Sequence, residues 1–120
     1  MKDKKRIEQW LNFSDNDSFV AQNIFSTFYP KPYEIICFHC QQAIEKRLKA
    51  LGIANDIEPE KTHDLAFLLN KYENKTGKSI STEIKLSCTR LSDYNIKTRY
   101  PNDFQLDYNK VSLALLDMKK

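Results

Sequence analysis

The sequence predicts an all-α fold, an up-and-down bundle of about five helices with two long antiparallel helices at its core. Three observations carry that prediction. Chain breakers are scarce, with two glycines and four prolines in 120 residues, about 5% against the roughly 12% of average usage. A β sandwich or barrel needs a turn every 8–12 residues and more glycine than this. Apolar residues recur three or four apart through most of the chain, the period of one helix face. The β-branched clusters are too short and too helically spaced for a sheet. At 120 residues and 14.1 kDa, the chain is predicted to be one domain over 1–120.

The first helix is predicted over 4–29, with Ile7, Trp10, Leu11, Ser14, Ser18, Ala21, Ile24, Phe25 and Phe28 on one face. Ser14-Asp15-Asn16-Asp17 has the form of a capping box that could start a new helix. The apolar register passes through Ser14 without a phase slip, so one continuous helix is predicted. Pro30 and Pro32 stop it, because proline lacks the amide donor and clashes with the preceding turn. The second helix, over 33–52, buries Ile36, Cys37, Cys40, Ala43, Ile44, Leu48 and Leu51, and Gly52 is a natural left-handed cap. A loop with Pro59 follows. Thr62 is the predicted N-cap of a third helix carrying Leu65, Phe67, Leu68, Leu69 and Tyr72. Residues 75–79 read as a turn. A fourth helix over 81–96 presents Ile84, Cys88 and Leu91, and a last one over 107–119 buries Val111, Leu115 and Met118, with Ala114 beside them.

Composition excludes several functions. Neither a GxGxxG nor a GxxxxGK[ST] phosphate loop can be assembled from Gly52 and Gly77. The net charge of +3 is too small for a protein that coats nucleic acid, so any anion site must be local. No run of 18 apolar residues is present. The opening MKDKKRIEQW lacks a signal-peptide apolar stretch, so a cytoplasmic location is expected, with the three cysteines as thiols.

Four constellations could carry chemistry. Cys37-Phe38-His39-Cys40 contains a CxxC, but zinc needs a second ligand pair, and these cysteines lie inside an apolar helical stripe. They read as small core residues, and no metal or cofactor is expected. His39, Gln42, Lys46 and Lys49 fall at i, i+3, i+7 and i+10, one polar stripe on the second helix, flanked by Arg47 and partly offset by Glu45. Such a stripe can hold a phosphate or be an ordinary solvated face. His63, in the first turn of the third helix, can assist an anion site there or simply pack locally. Tyr94, Arg99, Tyr100 and Pro101 close the fourth helix, where arginine can cap carbonyls, pair with a carboxylate or present a fork to phosphate. No Ser/His/Asp or Cys/His arrangement has a local signature, so no catalytic residue is assigned.

Three segments carry a family resemblance: Phe38-His39-Cys40-Gln41-Gln42-Ala43-Ile44-Glu45-Lys46-Arg47-Leu48-Lys49-Ala50, Thr62-His63-Asp64-Leu65 and Tyr94-Asn95-Ile96-Lys97-Thr98-Arg99-Tyr100-Pro101. In order and spacing the chain resembles the HEPN (higher eukaryotes and prokaryotes nucleotide-binding) domain over nearly its whole length. Trp10-Leu11 and Asp17 resemble that family's first helix, while Ser14 and Ser18 stand where alanine and leucine are usual. The resemblance implies a helical bundle, commonly a homodimer, associated with nucleotides or RNA. It also implies a minimal nucleotidyltransferase as partner, often in a toxin–antitoxin pair. Ribonuclease members carry Arg-x4–6-His near the end of the fourth helix. Here no histidine follows His63, so that pair is absent.

The expected function is therefore a non-catalytic nucleotide- or RNA-binding module. His39, Gln42, Lys46 and Lys49 are expected to line one wall of its site, with His63, Arg99 and Tyr100 as second-rank candidates. Lys46 and Arg99 would neutralise phosphate, and Tyr100 could stack on a base. Two alternatives stay open: a protein-interaction module whose motif residues are structural, and a ribonuclease with an atypical site.

Overall fold

The computed structural model describes residues 2–59, 61–62, 64–97 and 108–119. These form five helices in chain order: α1 (Lys2–Thr27), α2 (Tyr33–Ala54), α3 (Leu65–Thr76), α4 (Thr82–Lys97) and α5 (Tyr108–Lys119). At 1.5 Å rise per residue, α1 alone is about 39 Å long, which accounts for most of the 44 Å long dimension of the molecule.

Helix α1 runs without a break through Ser14–Asp17. The serine that mimics a cap is fully buried instead, and its hydroxyl donates to the Ala43 carbonyl of α2 at 2.6 Å. Ser14, Ala21, Cys40 and Ala43 are all 0% exposed, so small side chains let the two helices approach closely. The pair is antiparallel, because Ser14 meets Ala43 while Asp17, further along α1, meets His39, earlier on α2.

The opposite side of α2 is covered by the other helices. Ile36, Leu65, Leu91, Val111 and Met118 form the largest apolar part of one continuous core. Antiparallel α3 and α4 are joined at one end by Ser92 Oγ, which accepts from the Leu65 amide, and at the other by Glu73. That carboxylate accepts from the Ile80 amide at 2.8 Å and pairs with Lys85 at 3.0 Å. The amide bond and the lysine both hold the Glu73 carboxyl below the ordinary range.

Several local expectations are corrected. The N-cap of α3 is Asp64, whose side chain accepts from the Ala66 and Phe67 amides. Thr62 lies outside the helix and accepts from the Asp64 amide, holding the capping aspartate in place. Gly52 is not a left-handed cap. It is the third residue from the end of α2, its carbonyl accepts from Asn55 and Ile57, and Asp56 takes the positive φ of 62°. Gly77 does cap α3 at φ 72°. Leu11, Phe28, Leu51 and Phe67 were placed on core faces, yet each is at least 38% exposed. Each lies at the edge of its stripe or near the end of its helix.

Cys37, Cys40 and Cys88 are buried free thiols in the core. Burial pushes Cys37 up to about 12 and Cys88 up to about 11, from an ordinary 9.0, and Cys40 is raised as well. Above pH 9 the unfolded chain loses these protons while the folded chain keeps them. Stability is therefore whole below pH 9 and falls as the pH climbs toward 11. Urea titrations across that range should show the decline, and Cys88→Ala should flatten its slope. Backbone geometry makes a second prediction. Gly77→Ala should cost about 1 kcal/mol, because a side chain is strained at positive φ. Gly52→Ala should gain up to roughly 0.5–1 kcal/mol, because its new methyl meets Ile57 at an ordinary 3.5 Å. Denaturant midpoints of the two variants should move in opposite directions.

Candidate functional site

The polar stripe of α2 faces α1 and forms a seam between the two helices. His39 and Lys46, two turns apart, converge on one carboxylate from α1. His39 Nδ1 lies 2.7 Å from Asp17 Oδ1, and Lys46 Nζ donates to Asp17 Oδ2 at 2.5 Å. The carboxylate is only 10% exposed, whereas His39 and Lys46 are 26% and 24% exposed. Asp17 thus acts from within, and the two basic groups reach the surface. Its hydrogen bond to Nδ1 orients the imidazole and leaves Nε2 available to donate or accept.

Gln42 continues the seam inward. Its amide donates to Gln41 Oε1 at 2.7 Å, and Gln41 donates to Glu45 Oε1 at 3.2 Å. Glu45 Oε2 in turn accepts from Lys49 Nζ at 3.1 Å. Gln41, Glu45 and Lys49 are all buried. Lys49 is thus an interior cation, with Trp10 beneath its ammonium at 5.5 Å, and Lys46 lies 5.9 Å from the Phe13 ring. Among the described residues of the stripe, two carboxylates balance two ammonium groups, so the seam carries little excess charge.

The structure therefore brings His39, Gln42 and Lys46 to one edge and places Lys49 inside. His63, Arg99 and Tyr100, the further candidates for the site, lie outside the described residues. Arg47, expected to flank the stripe, turns to the other side of α2 and donates to the Met118 carbonyl of α5 at 3.2 Å. Spacing on one helix could not reveal Asp17, because its role depends on which α1 residue faces α2. A second buried polar centre was also missed. Asp117 accepts a two-pronged contact from Arg90, at 2.9 and 2.7 Å, and a bond from the Ser87 hydroxyl at 2.9 Å. Its signal was available: Asp117 interrupts the apolar face of Val111, Ala114 and Met118. Among the described residues no group of three His, Cys, Asp or Glu side chains could hold a metal ion. No helix there is long and apolar enough to cross a membrane.

A buried ion pair broken on one side leaves an uncompensated charge, at a cost of about 3–5 kcal/mol. Glu45→Gln should approach that loss by stranding the Lys49 ammonium. The double variant Glu45→Gln with Lys49→Met should recover part of it, since the charge is then removed with its partner. A double-mutant cycle by urea denaturation measures the coupling.

The comparisons agree with this architecture. The family model described as the HEPN domain matches residues 7–120. No curated protein and no solved structure matches the chain. With the match covering nearly every residue, and with the expected helices in the expected order, the chain belongs to the HEPN domain family.

Proposed function

We propose that the protein is a non-catalytic HEPN module that binds a nucleotide or the phosphate of RNA at the outer edge of the α1–α2 seam. The observation that carries this reading is the shared carboxylate. Asp17 holds His39 and Lys46 at one partly exposed edge, with Gln42 between them in sequence. Such an edge offers an ammonium for a phosphate oxygen, and an imidazole Nε2 and an amide for a ribose hydroxyl or base edge. Because Asp17 already draws on the Lys46 charge, tight phosphate binding needs a further cation, the role proposed for Arg99. His63 and Tyr100 complete the proposed site, Tyr100 by stacking on a base, and Lys49 supports it from inside. The non-catalytic part rests on the absence of an Arg-x4–6-His pair. We also place in this proposal a homodimeric state and action beside a minimal nucleotidyltransferase in a toxin–antitoxin-like pair.

One observation favours a second reading. Gln41, Glu45 and Lys49 satisfy one another inside the fold. That is what a protein-interaction module with structural motif residues would need. Its surfaces would then dock the nucleotidyltransferase without a nucleotide.

Isothermal titration with ATP, GTP and short RNA separates the two. Binding below millimolar, weakened about tenfold by Lys46→Ala and by Arg99→Ala, supports the first reading; one lost charge-assisted hydrogen bond accounts for that factor. An absence of submillimolar binding, or binding indifferent to both substitutions, overturns it. Co-purification of a nucleotidyltransferase without nucleotide binding favours the second. RNA cleavage by the pure protein would end the non-catalytic claim.

A further inference from the structure

A cleft of 260 Å³ opens on the face of α2 turned away from the seam, between that helix, α3 and α4. Its walls are apolar, with Leu48 and Leu51 from α2, Tyr72 from α3, Ile80 from the turn and Ile84 from α4. Two charged groups also line it. Asp117 is spent, because Arg90 and Ser87 already satisfy both of its oxygens. Arg47 is in the opposite condition. It is half-buried, one N–H donates to the Met118 carbonyl, and no carboxylate pairs with it among the described residues. A guanidinium lining an apolar cleft, with no carboxylate paired to it among the described residues, is a fork without its anion.

We propose that this cleft binds a small amphiphile, an apolar body of medium length carrying one anionic head group, with the head on Arg47. The size sets the class. At about 30 Å³ per heavy atom, the space admits a body of roughly nine atoms, which suits a medium-chain carboxylate and is too small for a helix. The polarity sets the orientation. The apolar walls exclude a nucleotide's sugar and phosphates, and among the described lining residues the uncommitted charge is positive, so the acid faces Arg47 while the tail lies along Leu48, Ile80 and Ile84. The site shares no residue with the α1–α2 seam, and the inference stands whether or not nucleotides bind there.

Octanoate is the probe, with octanol and acetate as controls, titrated into the full chain and followed by calorimetry and by NMR contacts from the tail to methyl groups. Octanoate should saturate one site, with its tail near the Leu48, Ile80 and Ile84 methyls, and acetate should not bind. Arg47→Gln should weaken octanoate about tenfold and leave octanol within about twofold. Ile84→Trp should fill the cleft and abolish both. Circular dichroism confirms that each variant is folded, and where Ile84→Trp is not, the wild-type tail contacts decide the location. No saturable octanoate binding at millimolar concentration overturns the proposal. So does equal affinity for Arg47→Gln, or tail contacts outside the cleft.

Discussion

The close crossing of α1 and α2 is the constraint on which the rest of the molecule depends. The two helices are brought close by small buried residues, Ser14 against Ala43, with Ala21 and Cys40 also fully buried. At such short range the Ser14 hydroxyl can reach the Ala43 carbonyl, satisfying a group that would otherwise be buried at a cost. The same proximity carries the Asp17 carboxylate to His39 and Lys46. A larger side chain at Ser14 would push the helices apart, and every polar contact along the seam would lengthen with them. Polar complementarity replaces part of the greasy interface that a bundle of this size normally uses, and it also sets the register. Sliding α1 by one turn would leave Asp17 with neither partner.

Much of the fold was legible in the sequence because helix periodicity is a local property. The continuous α1 could be read from an unbroken register through Ser14, and the breaks at Pro30, Pro32 and Gly77 from their own stereochemistry. The errors came where two local rules competed. Thr62 and Asp64 are both good capping residues, and the chain uses them in series, one to hold the other. Gly52 fits a cap, but the helix gains two further residues and a left-handed Asp56 instead. Helix edges were misjudged for a different reason. The exposure of Leu51 and Phe67 depends on how far a neighbouring helix extends, which no single-helix pattern contains.

The candidate site was legible only as a stripe. Spacing correctly placed His39, Gln42, Lys46 and Lys49 on one side of α2, but it could not say that this side faces another helix. Burial turns the same four residues into two kinds. His39 and Lys46 are held at the edge, whereas Lys49 is neutralised within. The ion pairs there show that a charge count overstates how basic the region is.

The position of α2 between α1 and α5 has a consequence for how the chain comes into being. Its two faces are completed at very different moments of synthesis. The seam with α1 can close as soon as α2 has left the ribosome, since Ser14 and Ala43 are 29 residues apart. The other face waits for a carbonyl 71 residues beyond Arg47, and α4 waits for a carboxylate 30 residues beyond Ser87. Until α5 is made, the part of α2 that it covers stays open to solvent. A nascent chain paused before Tyr108 thus holds four helices around an incomplete core, the form in which a chaperone would meet this protein.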